Sequence, residues 1–347
     1  MLQNSVNYDL MTPVTFLRRT VSVYPNKTAI VYGDQRYTYQ EFETRVHQLA
    51  AALMAIGIGK GDKVAFMCPN TPPMLEAHFA VPMIGAALVS INIRLSGDEI
   101  AYIVDHSDAK AFFVDNEFGE MINGITDRLP KVSHYVNICD ESDETPLDGP
   151  DYEAFLTTGT DTPVRCAVDD ERDVIAINYT SGTTGLPKGV MYHHRGAYLN
   201  AIGELIEYSL SPDTVYLWTL PMFHCNGWCF TWGITAIGGT HVCLRRVIAE
   251  DVFNLIEKEK VTFMCAAPTV LIAMTSYPEA DKIHIKHRLQ VNTAGAPPAP
   301  TVLKNMAAFG VEMVHCYGLT EVYGPHSQCA WQSQWNDLSS DDQAKLK

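Results

Sequence analysis

The first third of the chain is written in two alternating rhythms. Between Lys27 and Asn116, short β-branched or aromatic runs take turns with stretches whose apolar residues recur every three or four positions, the spacings of strands and of one-sided helices respectively. AIVYG and RYTY flank Gly33 and Asp34 and predict a small hairpin. In EFETRVHQLAAALMAIG, Phe42, Val46, Leu49, Leu53 and Ile56 fall on one helical face, and Gly57 predicts the stop. The series continues with strands over KVAFMCPN, ALVSINI and AKAFFVDN, separated by a helix through LEAHFAVPMIGA and a helix opened by Ser96 with Glu99 at capping-box spacing. Strand and helix alternate. The expected fold class is therefore α/β, with largely parallel sheets covered by helices in the doubly wound arrangement.

The rhythm lapses between Cys139 and Asp173, where DESDETPLDGPDYEAFLTTGTDTP is acidic, turn-rich and weakly periodic, as expected of a solvated surface connection. Strand-like runs resume at VIAINY, TVYLWTL, THVCLR, VTFMCAA, LQVNTAG and VEMVHCYG, several joined by helical stretches such as AEDVFNLIEKEK. Two doubly wound α/β subdomains are expected, over 1–165 and 166–347. A chain of 347 residues with 47% hydrophobic composition can bury cores of that size.

Charge narrows the partners. Lys and Arg are outnumbered 25 to 40, a formal net charge of -15, which argues against a general nucleic-acid or anionic-membrane surface. Any phosphate site must be local. Nine cysteines, an odd number lying mostly inside apolar runs, read as buried thiols and fit a reducing, cytoplasmic setting. No apolar run reaches the roughly 18 residues of a membrane span, so no integral membrane association is expected. A homo-oligomer is left open.

VIAINY runs straight into YTSGTTGLPKGV at residues 179–190, and HRGAYLNAIGELIEYSL beyond it has helical periodicity. The stretch is expected to be a loop joining a strand to a helix. Its glycines let backbone N–H groups converge without Cβ interference, Thr180, Ser181, Thr183 and Thr184 add hydroxyls, and Lys188 adds a positive charge, a set suited to a polyphosphate. It is not the nucleotide loop GxxxxGK[ST], because Lys188 follows Pro187 and precedes Gly189. No GxGxxG is present.

The same twelve residues resemble the signature of the AMP-forming acyl-adenylating enzymes: acyl-CoA synthetases, peptide-synthetase adenylation domains and beetle luciferases. PMFHCNGW at 221–228, TAGAPPAP at 293–300 and HCYGLTEVYGP at 315–325 are similar to further motifs of that family, in the family's order. The resemblance covers essentially the whole chain. It implies that ATP and a carboxylic acid combine into acyl-AMP and pyrophosphate, with coenzyme A as co-substrate of a second, thioester-forming step.

By that resemblance Thr180, Ser181, Gly182, Thr183, Thr184, Gly185 and Lys188 grip the β and γ phosphates. Gly295, Ala296 and Pro297 line the adenine, Tyr317 stacks on it, Gly318 belongs to a turn beside it, and Thr320 contacts the α phosphate. Glu321 is the implied Mg2+ ligand, a hard carboxylate for a hard cation. His224 is implied beside the adenylate and the acid, and Asn226, Gly227, Trp228, Gly318 and Val322 shape the acyl pocket with it. Lys188, Thr320, Glu321 and His224 form the implied catalytic set. HCNGW is the form found in medium-chain fatty acyl and methylthiopropionate CoA ligases, which points to a fatty or related small organic acid. Family members continue past the third motif with a ribose-binding aspartate, a hinge and a small mobile domain carrying a lysine. The 347 residues are accordingly expected to be an N-terminal fragment with impaired turnover. A different acyl acceptor and a purely nucleotide-binding module are the alternatives.

Overall fold

Fourteen strands among the described residues assemble into two sheets. The computed structural model describes residues 8–140, 142, 145–160, 162–180 and 185–346. In chain order the strands are β1 (Thr28–Tyr32), β2 (Gln35–Thr38), β3 (Lys63–Met67), β4 (Ala87–Ser90), β5 (Ala109–Asp115), β6 (His134–Ile138) and β7 (Val174–Tyr179). They continue with β8 (Gly189–His193), β9 (Val215–Leu217), β10 (Thr240–Val242), β11 (Phe263–Ala266), β12 (Leu289–Thr293), β13 (Val311–Leu319) and β14 (Gly324–Gln328). One sheet has the order β14-β13-β12-β11-β9-β10-β1-β2, the other β6-β5-β3-β4-β7-β8. Pairing is parallel throughout except at β1–β2, β13–β14 and β7–β8. Antiparallel strands thus close both edges of the larger sheet and one edge of the smaller. The α/β expectation holds, with two mixed, mostly parallel sheets flanked by helices.

Local signals act where they were read. β1 and β2 form the hairpin across Gly33 and Asp34, with Tyr32 paired to Gln35. The helix Tyr39–Ala55 buries Phe42, Val46, Leu49 and Leu53 completely, and Gly57 follows it at φ +84°. Thr38 and Glu41 close a capping box at its start, and Ser96 and Glu99 do the same for the helix Gly97–His106, each satisfying two otherwise orphaned N–H groups.

The sheets do not divide the chain at 165/166. β1 lies beside β10, with Ile30 opposite His241, while β7 and β8 lie in the smaller sheet beside β4. The helix Pro72–Met83 belongs to the layer between, and all twelve of its residues are buried, as a helix apolar all round must be. Glu76 is its buried acid; it receives Arg45 Nε at 2.6 Å and the hydroxyl of Tyr152. Arg245, just beyond β10, spans the two sheets by ion pairs of 2.7 Å to Asp115 at the end of β5 and 2.6 Å to Asp140 beyond β6.

Three local expectations are corrected. The acidic connection is not simply a solvated face, because Tyr152, Phe155 and Leu156 of a short helix, Tyr152–Thr157, are buried. The glycine-rich stretch does not join a strand to a helix. It closes a hairpin, since β8 returns antiparallel to β7 with Asn178 opposite Val190 and Tyr179 opposite Gly189, and only then does the helix His194–Glu207 begin. Val190, Met191 and Tyr192 favour a strand, but three edge residues between a loop and a helix give no readable period. Gly318 lies not in a turn but inside β13, and a Cβ there would sit 1.8 Å from the carbonyl oxygen of Gly324 on β14. Glycine is needed because two backbones approach.

Candidate functional site

The candidate site lies where the β7–β8 hairpin meets the turn between β13 and β14. Lys188, Val190 and Tyr192 alternate onto one face of the returning strand. The Tyr192 hydroxyl donates to the Thr320 carbonyl oxygen at 2.6 Å, its ring lies 4.1 Å from that of Tyr323, and the His193 amide donates to the Tyr323 hydroxyl at 3.1 Å. Four residues of strand, about 13 Å, separate Lys188 from this junction. Lys188 and Glu321 thus belong to one strand-and-turn assembly. Both side chains are exposed, and among the described residues neither makes an ion pair.

The base of the hairpin is held from below. The Thr180 amide donates to the Lys188 carbonyl oxygen at 3.0 Å, and Thr180 Oγ1 accepts from the Lys188 amide at 3.3 Å. From the helix Gly97–His106, Tyr102 donates to the Pro187 carbonyl oxygen at 3.3 Å, and His106 Nδ1 lies 2.8 Å from the Tyr179 hydroxyl. These two contacts fix the ends of the loop. Gly185 is exposed, with open space around it; Ser181, Gly182, Thr183 and Thr184 lie outside the described residues.

Gly295, Ala296 and Pro297 are exposed just past the carboxyl end of β12, and Gly295 has φ +93°. Thr293 is opposite His315 in the parallel β12–β13 pair, so this segment lies near Tyr317, which is 58% exposed and meets His326 edge-on at 5.5 Å. Ligands of parallel sheets bind at such carboxyl ends. Among the described residues, buried Thr293 Oγ1 and Asn292 Nδ2 find no hydrogen-bond partner there.

PMFHCNGW adopts a conformation that no sequence rule predicts. Cys225, Asn226, Gly227, Trp228 and Cys229 have φ of 51°, 51°, 60°, 56° and 64°, one turn of left-handed helix. That conformation costs roughly 1–2 kcal/mol per non-glycine residue. Gly227 is doubly required, because a Cβ would also lie 2.4 Å from the Trp218 ring. His224 leads into this turn. Its side chain is open to solvent yet crowded by protein, and burial lowers its pKa. Cys225 Sγ stands 3.7 Å from His224 Nε2 and 3.8 Å from Thr320 Oγ1, which brings His224 and Thr320 together. Trp228 packs on Gly324, where an added Cβ would come within 2.9 Å of the indole. Val322 completes the single turn Thr320–Val322. Asn226 is turned inward, fully buried between Asn178 and His78.

Beyond Trp228, whose carbonyl oxygen accepts from Asn200 at 3.5 Å, a cavity of 460 Å³ separates the helix His194–Glu207 from β14. Glu204 borders it, and burial pushes its carboxyl up to about 8. Sequence reading missed Tyr192, Tyr323, Tyr102, Tyr179, Asn178 and His78, whose only signal is spatial.

A family model described as AMP-binding enzyme matches residues 17–345. The chain belongs to the AMP-binding enzyme family. It is 42% identical over 347 residues to a 4-hydroxybutyrate–CoA ligase of Metallosphaera sedula, covering 98% of this chain and 63% of that protein. It is also 42% identical to an acetate–CoA ligase of Humulus lupulus, covering 99% and 63%. The chain therefore spans less than two thirds of the length of these curated relatives. Among solved structures, the inhibitor-bound N-terminal domain of FACL13 from Mycobacterium tuberculosis superposes with a TM-score of 0.84 at 28% identity, over 92% of this chain and 79% of that one. An exposed carboxylate such as Glu321, which makes no ion pair among the described residues, would suit Mg2+, a hard cation that takes one or two protein carboxylates.

Proposed function

We propose that this chain carries the adenylate-forming site of an acyl-CoA ligase acting on a small fatty or related carboxylic acid. The observation that carries the reading is the 2.6 Å bond from Tyr192 to Thr320, which fastens the strand opened by Lys188 to the turn bearing Glu321. Support also comes from relatives named as ligases of acetate and 4-hydroxybutyrate.

In the proposed reaction a carboxylate oxygen attacks the α-phosphorus of ATP. A new P–O bond forms as the bond to pyrophosphate breaks, and no proton changes hands. The obstacle is the meeting of two anions. Lys188 and the hydroxyl-bearing loop draw the β and γ phosphates away from the approaching acid, and Thr320 donates its hydroxyl to the α phosphate, both acting on charge where it develops. His224 orients the acid, Trp228 walls its tail, and the exposed Tyr317 ring covers the adenine. Mg2+ held by Glu321 and the phosphates would neutralise further charge. Coenzyme A is the proposed acceptor in the following step.

The test is acid-dependent exchange of labelled pyrophosphate into ATP by the 347-residue chain with acetate, butyrate, 4-hydroxybutyrate, hexanoate and benzoate, beside calorimetric binding of MgATP. Exchange with at least one acid is expected, reduced about 100-fold by Lys188→Ala. Exchange with amino acids alone, or a Lys188→Ala variant as active as the parent, overturns the reading.

A further inference from the structure

Three buried polar side chains connect the phosphate hairpin to the left-handed turn, and their hydrogen bonds can be directed only one way. His78 Nδ1 lies 2.6 Å from the Met74 carbonyl oxygen. A carbonyl only accepts, so Nδ1 carries the proton and donates. In the neutral ring Nε2 is then an acceptor, and Asn226 Nδ2 donates to it at 3.0 Å. That choice orients the Asn226 amide and turns its Oδ1 toward Asn178, whose Nδ2 donates at 2.7 Å. One backbone carbonyl thereby sets the polarity of the whole chain. His78 and Asn226 are fully buried and Asn178 is 2% exposed, so water does not substitute for a missing partner.

The ends of this chain matter. Asn178 sits opposite Val190 in the hairpin, two residues from Lys188. Asn226 is the second residue of the strained turn, two after His224, and the Thr231 hydroxyl also holds its carbonyl oxygen at 3.1 Å. His78 is itself pinned, since Trp232 donates to its carbonyl oxygen at 2.9 Å and packs edge-on against its ring. A left-handed turn that costs several kcal/mol persists only where its surroundings over-determine it. A buried amide with both ends engaged does this directionally.

We infer that His78 is a positioning residue: through Asn226 and Asn178 it locks the turn bearing His224 in register with the hairpin bearing Lys188. His78 touches neither substrate nor reacting atoms. The mechanical coupling stands on the hydrogen-bond geometry, whereas its consequence for adenylation rests on the ligase reading proposed above. Since coupling between two sites is reciprocal, a break at either end is felt at the other.

The experiment measures backbone amide exchange in residues 188–195 and 224–233, and pyrophosphate exchange kinetics, for the parent, His78→Leu, His78→Gln and Asn178→Leu. Gln presents an amide oxygen about where Nε2 accepts, so it preserves the chain; Leu ends it. His78→Leu is expected to speed amide exchange about tenfold in both segments and to lower kcat about 10- to 100-fold, with KM for ATP within about threefold of the parent. His78→Gln is expected within about threefold of the parent in every readout, and Asn178→Leu to loosen 224–233 from the opposite end. If His78→Leu does not fold, the Gln and Asn178→Leu arms decide. Loosening confined to the mutated side, or Gln behaving as Leu does, overturns the coupling. Loosening of both segments with kcat unchanged overturns the positioning role. If the parent shows no acid-dependent pyrophosphate exchange, the ligase reading falls and the amide exchange still decides the coupling.

Discussion

Two polar networks brace this molecule, and they are built from opposite chemistry. Between the two sheets, Arg245 gathers Asp115, Glu117 and Asp140 within 2.9 Å, and Tyr32 also donates to Asp140. Between the β7–β8 hairpin and the left-handed turn, Asn178, Asn226 and His78 hold one another with no net charge. The first joins sheets by attraction that is strong but broad in angle. The second fixes orientation and adds no net charge. Under the proposed reading, a site that brings two anions together gains from the separation, because the exposed charges of Lys188 and Glu321 then act there without competition from charged scaffold groups.

The comparison can be broken most severely at Arg245. Its side chain is 7% exposed and Asp115 is 0% exposed, so Arg245→Met strands a buried carboxylate. The expected loss is about 3–5 kcal/mol of unfolding free energy, read from urea midpoints at unchanged slope. That loss should persist in molar salt, which screens buried pairs poorly. A loss below about 1 kcal/mol would mean that the ion cluster does not hold the sheets.

A smaller, pH-dependent effect lies at Glu204. Burial, the larger cause, and the nearby charge of Glu207 raise its carboxyl from 4.5 to about 8. Between those values the folded chain keeps a proton that the unfolded chain has released, so stability falls as pH rises through that window. Glu204→Gln should abolish the fall. Relative to the parent it should gain on the order of a few kcal/mol at pH 9 and little at pH 4, in urea unfolding at matched pH. Parallel parent and variant profiles would refute the assignment.

The smallest expected effect sharpens the contrast. Lys188→Ala, which removes an exposed cation that makes no ion pair among the described residues, should change stability by no more than about 0.5 kcal/mol while abolishing most pyrophosphate exchange. A large stability change would place Lys188 in the scaffold.

Sequence reading succeeds where the determinants are local. The helix Tyr39–Ala55 repeats an apolar face over four turns, and the Ser96–Glu99 box lies within four residues. The resemblance implied that His224, Thr320 and Lys188 act together, and the contacts of Cys225 and Tyr192 bring the elements that carry them near one another. What failed depends on distant partners. β8 is a strand because β7 is there to pair with, and Gly318 is within a strand because Gly324 returns beside it. The inward turn of Asn226 required His78, 148 residues earlier in the chain. A period of two or 3.6 carries none of this.

The pairing of β1 with β10 also bears on how the polypeptide is made. Ile30 finds His241 only after more than two hundred further residues have been synthesised, roughly 10–40 s at ordinary elongation rates. During that interval the nascent hairpin Thr28–Thr38 offers the ribosome exit and its attendant chaperones an open strand edge rich in Ile, Val and Tyr. The seam that joins the amino-terminal hairpin to the larger sheet thus waits for most of the chain to be made.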